Sequence, residues 1–239
     1  MVTRTVALGP EFDTLPNDTE KTLMGTSLHQ AAIVTLYTSL EQCGPDRGLP
    51  WFVGNQIKLI IPRQGRRSYQ PSPDILVHPT LTSGTRESLH VAADGPPVLI
   101  IEVASPSTAV ERDINLTSPT GKPGVYAAIG VREYLVFDPS DDILETPVWA
   151  RRTGPGGYVP WEPDGHGRWF SATLGVAFEP QGTLLRVYDQ EGNPVRFTKE
   201  LAGLTIEQEQ RISEQQRRLA AQEQRLAELE EELRKLRSG

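Results

Sequence analysis

The sequence predicts a mixed α/β fold, a central sheet flanked by a few helices. Three observations predict it. "VLIIEV" (residues 98–103) and "EYLVFDP" (133–139) are near-continuous apolar runs of strand length, the pattern of strands covered on both faces. Helical stretches are too few to supply the crossovers of a doubly wound sheet. From Glu145 to Tyr188, short pieces rich in Trp, Tyr and Val alternate with Gly/Pro turns, which reads as a small antiparallel extension.

Residues 1–24 mix Pro, Thr, Asp and Glu without periodicity, the composition of a flexible N-terminal arm. From Ser27 to about Cys43, Leu28, Ala32, Leu36 and Leu40, with Ile33 and Tyr37 beside them, make one apolar helix face. Ser27 suits the N-cap, and Gly44-Pro45 should stop the helix. "WFVGNQIKLII" reads as one strand with a bulge at Gly54. Arg63 to Arg67 form a polar loop ahead of "PSPDILVHP", in which residues 75–77 are a short strand. After the apolar run to Val103, Ser105-Pro106 fits an N-cap and first helical residue, and Thr108 with Glu111 has capping-box spacing. Residues 126–129 read as a short helix that Gly130 ends, and Asp138-Pro139 closes the next strand.

The tail is different in kind. Ile212, Leu219, Leu226 and Leu233 repeat every seven residues, with Leu229 and Leu236 in the complementary d positions. In a parallel pair this register sets Arg218 against Glu223, Arg225 against Glu230 and Glu232 against Arg237, all opposite in sign. Residues 204–239 are therefore expected to form a parallel coiled-coil dimer, fraying first where Gln208, Gln215 and Gln222 occupy d. A solvated single helix is the alternative, since Glu207/Arg211 and Glu214/Arg218 have the i,i+4 order that supports one.

At 239 residues the chain suits one compact domain plus an appendage. No apolar run is long enough to span a bilayer and no signal-peptide pattern follows Met1, so a soluble, cytoplasmic protein is expected. Cys43 is the single cysteine, which excludes an intrachain disulfide or thiolate cluster, and it reads as a small buried residue. A net charge of −7 argues against an indiscriminate nucleic-acid binder, though not against a local, metal-bridged contact with phosphate.

Two acids stand at the ends of apolar strands: Asp74 opens "DILV" and Glu102 closes "VLIIE". If the strands are neighbours, both carboxylates project into one cleft. Paired carboxylates suit Mg²⁺ (or Mn²⁺), which takes oxygen ligands and retains waters, and such an ion polarises a phosphoryl oxygen. Lys122, the one lysine between Pro97 and Pro139, is the candidate to steady developing negative charge. Structural alternatives stand beside these. Asp74 after Pro73 suits an Asx turn, Glu102 suits a salt bridge with Arg112, and Lys122 suits an exposed loop. Arg63, Arg66 and Arg67 are placed to meet phosphate or to form a solvated loop. His29 and Glu41 on the first helix are lesser candidates, and Ser105 and Ser107 read as caps.

"SPDILVHP", "PPVLIIEVASPST", the lysine four residues before Tyr126 and "YAAIGVREYLVFDP" together resemble the Uma2 family, within the PD-(D/E)XK nuclease superfamily. The resemblance runs from about Gly25 to Tyr188. It implies a restriction endonuclease-like domain over residues 25–203, a mixed central sheet flanked by helices. It implies Asp74, Glu102 and the carbonyl of Val103 as metal ligands, Lys122 as the charge-stabilising lysine and Asp113 as its acidic neighbour. His29 and Glu41 would be helpers on the first helix. The superfamily's lysine lies two residues after the second acid, where this chain has Ala104. The interval from Asp113 to Lys122 is longer than in typical relatives, with "LTSPT" intruding. Pro123 directly after Lys122 leaves the lysine in a loop or at a helix start.

Two functions follow. The first is a Mg²⁺-dependent endonuclease cutting DNA, dimerised by its tail. The second is a catalytically inactive module that keeps the nuclease fold for binding or assembly. A protein acting mainly through its coiled coil is a weaker third.

Overall fold

A computed structural model describes residues 7–15, 26–46, 51–81, 84–106, 112–118, 121–197, 200, 211–219, 222 and 225. The chain divides into two compact units, Met1–Val195 and Arg196–Gly239.

In the first unit, helix α1 (Ser27–Asp46) buries Ala32, Ile33, Leu36, Leu40 and Cys43, the stripe that its sequence spacing predicts. It runs through Gly44-Pro45, where the sequence suggested a stop, because a proline in the last turn removes a single backbone donor. The chain then makes two strands where one was expected. Strand β1 (Phe52–Asn55) and strand β2 (Lys58–Arg63) lie in different sheets, and the break is at Gln56, whose φ of 51° is left-handed. Gly54 sits in regular register opposite Leu76, without a bulge. Arg63 to Arg67 are likewise not a loop but the ends of a hairpin. Strand β3 (Arg66–Tyr69) folds back on β2 across Gln64-Gly65, and Gly65 supplies the positive φ.

The main sheet has six strands in the order β1-β4-β6-β7-β8-β9. Its further members are β4 (Ile75–His78), β6 (Leu99–Val103), β7 (Glu133–Phe137), β8 (Val148–Gly154) and β9 (Gly157–Pro160). Strands β6 and β7 are parallel, and helix α3 (Lys122–Ile129) lies in the connection between them. All other neighbours pair antiparallel. The small strand β5 (Ser88–His90) pairs with β2 and leads into the one-turn helix α2 (Val91–Asp94). Strands β10 (Trp169–Ser171), β11 (Val176–Gln181) and β12 (Leu184–Tyr188) form the separate antiparallel extension.

Every residue of β4, β6 and β7 is buried, as their continuous apolar text requires, because a core lies against each face. Ile75, Val77, Leu99, Ile101 and Val103 pack with α1 and the β10–β12 sheet. Leu76, Ile100, Ala104, Tyr134 and Val136 pack with α3 and with Leu59 and Ile61 of β2. That division decides which side chains face the site.

In the second unit, residues 211–219 are helical, with Ile212 and Leu219 exposed. The remaining heptad positions of the expected coiled coil lie outside the described residues, apart from Gln222 and Arg225, and so do residues 107–111, which carry the expected capping box. Among the described residues no helix is long and apolar enough to cross a membrane.

Candidate active site

The register of β4 on β6 sets Ile75 opposite Ile101 and Leu76 opposite Ile100. One step further, Asp74 comes opposite Glu102, and the Asp74 N–H lies 3.4 Å from Glu102 Oε2. Alternation along a strand puts Asp74 on the face of Leu76 and Glu102 on the face of Ile100, which is the α3 side. The two acids named from sequence are therefore cross-strand neighbours beneath one helix.

Helix α3 brings the lysine. Gly121 is its N-cap and Lys122 its first residue, so Pro123 falls in the first turn, where its missing N–H has no intrahelical partner to lose. Lys122 is thus at the helix start, one of the two positions that the sequence left open. Of the residues before it, Asn115 to Ser118 form a turn. Asn115 Oδ1 accepts the N–H groups of Thr117 and Ser118, and the Gly121 N–H bonds to Ser118 O. Gly121 approaches so close that a Cβ there would overlap Asn115 O. Lys122 Nζ then lies 3.1 Å from Glu102 Oε2 and 3.0 Å from Asp113 Oδ1, with all three side chains buried. Arg112, the alternative partner for Glu102, donates to Tyr69 Oη at 3.3 Å.

Each acid is held at both oxygens. Asp74 Oδ2 accepts the Val103 N–H at 2.9 Å, and Oδ1 accepts Gln56 Nε2 at 3.2 Å. Tyr126 Oη, one turn after Lys122, donates to Glu102 Oε1 at 3.1 Å. Burial by itself would raise the Asp74 carboxyl, but His29, the Val103 N–H and the Lys122 charge outweigh it and hold the group below the ordinary range.

Of the lesser candidates, the fold brings His29 in and leaves Glu41 out. His29 Nε2 is 3.1 Å from Val103 O and 3.6 Å from Asp74 Oδ2, and the Asp74 carboxylate holds the imidazole above its ordinary range against the effect of burial. Glu41 lies on the exposed side of α1, accepting the Tyr37 hydroxyl at 2.5 Å. Arg63 and Arg66, placed by the sequence to meet phosphate or to form a solvated loop, have protein partners. Arg63 is buried and donates to Leu15 O at 3.0 Å, and Arg66 pairs with Asp13 Oδ1 at 3.2 Å, so both hold the segment 7–15 onto the hairpin. Arg67 is exposed.

Sequence reasoning missed Gln56 and the chemical part of Tyr126. Gln56 carried no signal, since only the strand break makes it turn back onto Asp74. Tyr126 had one: four residues after Lys122, it must share that lysine's helix face.

The fold and site together define a mixed α/β protein with a buried acid–lysine centre where two central strands end. Residues 19–193 match the family model described as "Uma2: Putative restriction endonuclease", and the chain belongs to this Uma2 family. No curated protein matches the chain. Among solved structures it is similar to a "putative nuclease belonging to DUF820" from Anabaena variabilis, with 16% identity and a TM-score of 0.38. That likeness covers 54% of this chain and 65% of the other, so the chain spans under two thirds of that protein.

Proposed function

We propose that the protein is an endonuclease that hydrolyses DNA phosphodiester bonds with a divalent cation, Mg²⁺ or Mn²⁺. The observation that carries this reading is the Asp74–Glu102 pair opposed across β4 and β6 with Lys122 Nζ 3.1 Å from Glu102. The donor set fits a hard cation. Three buried carboxylates (Asp74, Glu102 and Asp113) gather about the Lys122 ammonium, and the donors a cation would meet are oxygens. Among the described residues no three His, Cys, Asp or Glu side chains gather as a ready-made ligand cluster. The fitting set is two carboxylates plus a main-chain carbonyl, suited to an ion that keeps several waters. Asp74, Glu102 and Val103 O would hold it, and when bound it would supply a water-derived nucleophile and polarise the phosphoryl oxygen.

The chain's own residues do the rest. Asp74 is kept ionised by His29 and the Val103 N–H, so it stays a charged ligand. Lys122 is braced by Asp113 and meets the negative charge that grows on the scissile phosphate in the transition state. His29 fixes Val103 O from α1. Two copies joined by a parallel pairing of residues 204–239 would set two such centres on one DNA. Sedimentation of the full chain against one truncated after Ala202 reads that association directly.

A second reading, the inactive nuclease-fold platform, has an observation of its own. Both oxygens of Asp74 and of Glu102 already have protein donors, and Glu102 and Lys122 are 2% and 6% exposed. Plasmid cleavage with Mg²⁺ and Mn²⁺ separates the two, provided Asp74→Ala and Glu102→Gln proteins are run beside the wild type. Cleavage lost in both variants is the expected result. Cleavage that both variants retain, or none from any of the three, would remove the nuclease reading.

A further inference from the structure

Lys122 and Tyr126 stand four residues apart at the start of α3, on the face turned to β6. They meet the same side chain. Lys122 Nζ is at Glu102 Oε2 and Tyr126 Oη donates to Glu102 Oε1, at 3.1 Å each. A carboxylate met at both oxygens from one rigid helix face cannot turn about its last torsion without breaking one of the two contacts. Tyr126 is itself immobilised. It is fully buried, and its ring lies 5.4 Å from Tyr134 in a group that continues to Tyr158 and Trp149. Tyr134 adds a second anchor, donating its hydroxyl to the main-chain oxygen of Asp113 at 2.9 Å, the residue whose carboxylate braces Lys122.

We infer that Tyr126 is a positioning residue for Glu102, and that α3 is a two-pronged clamp setting the plane of this carboxylate toward the cation. The inference rests on the metal-binding part of the proposed function. It assigns to the tyrosine hydroxyl a job that the ring's packing does not perform. Groups that orient a metal ligand from outside the coordination shell cost about 10–100-fold in metal affinity or activity when removed.

The structure supplies its own control. Tyr158 belongs to the same aromatic group, with its ring parallel to Tyr134, and its hydroxyl donates to Val131 O at 3.0 Å, away from the acids. Tyr126→Phe and Tyr158→Phe therefore each delete one hydroxyl from one packing unit, and only the first touches a carboxylate.

The experiment is Mn²⁺ binding to the full chain, by calorimetry or by the electron paramagnetic resonance of free Mn²⁺. It compares wild type, Tyr126→Phe, Tyr158→Phe and Glu102→Gln, with thermal unfolding of each metal-free protein alongside. Tyr126→Phe should weaken Mn²⁺ binding about 10–100-fold, while Tyr158→Phe binds as wild type does at a similar melting temperature. Equal losses in the two tyrosine variants would overturn the inference, because packing would then explain both. So would an unchanged affinity in Tyr126→Phe when Glu102→Gln has lost binding, a result that leaves the nuclease reading standing. A wild-type protein that binds no Mn²⁺ would remove that reading and this inference with it.

Discussion

Replacing Lys122 by Met removes one charge and keeps most of the side-chain volume, so it asks what the ammonium alone contributes. Lys122 Nζ sits 3.1 Å from Glu102 and 3.0 Å from Asp113, with all three side chains at least nine-tenths buried. At an effective dielectric near 20, each contact is worth about 5 kcal/mol of Coulomb attraction. Desolvation of the buried ions offsets much of this, at several kcal/mol per ion. What remains after the lysine is cut away is two buried carboxylates without their shared ammonium. Loss of one partner of a buried pair costs about 3–5 kcal/mol. Urea unfolding at neutral pH should therefore place Lys122→Met lower than wild type by about that amount. The double variant Glu102→Gln/Lys122→Met should recover part of the loss, since the amide removes one of the stranded charges. A coupling of at least about 1 kcal/mol in that double-mutant cycle is expected. If Lys122→Met unfolds within about 0.5 kcal/mol of wild type, as an ordinary surface substitution does, or the cycle shows no coupling, the buried triad does not exist as drawn.

Three further outcomes follow from other parts of the fold. Gly121→Ala drives a Cβ into Asn115 O at the start of α3, so overpacking of about 1–3 kcal/mol should appear in thermal unfolding, with cleavage falling as Lys122 shifts. Asp138 accepts the N–H groups of Ser140, Ile143 and Leu144 and the Ser140 hydroxyl, which together outweigh burial and hold its carboxyl below its ordinary 3.8. Its stabilisation is present above that value and lost as pH falls through the depressed one. Asp138→Asn should then cost about 1–3 kcal/mol at neutral pH and progressively less in acid, read by urea unfolding across a pH series. Glu133 shifts the other way: burial raises it above 4.5 despite the Ser171 hydroxyl at 2.5 Å and the charges of Arg132 and Arg152. As pH rises past 4.5 the unfolded chain ionises there first and the fold loses stability, so Glu133→Gln should flatten that part of the pH–stability curve.

Much of the fold was legible because apolar runs and stop signals act locally. The buried β4, β6 and β7, the stripe on α1 and the left-handed Gly130 that ends α3 all answer to neighbouring text. The acid pair was legible for the same reason, since a carboxylate closing an apolar strand is costly without a partner. What the sequence misplaced depends on contacts distant along the chain. Gln56 breaks the expected long strand while its N–H bonds to Asp74 O, eighteen residues away, and nothing between residues 51 and 61 announces that partner. Arg63 looked like a loop cation because the carbonyl that it binds belongs to Leu15, forty-eight residues earlier.

Lys122 reaches the acids from the helix and not from the strand. Ala104 lies just past the end of β6, two residues after Glu102. It is buried in the core under α3. From the first turn of α3 the Lys122 ammonium approaches Glu102 from the helix side. The start of α3 is tied back by the Gly121 N–H to Ser118 O, just before Lys122. A proline directly after the lysine, an obstacle in a helix interior, here fixes the backbone at the one turn where it stabilises the start. Pro123, which the sequence made look like an obstacle, is thus compatible with Lys122 at the helix start and its ammonium beside Glu102 and Asp113.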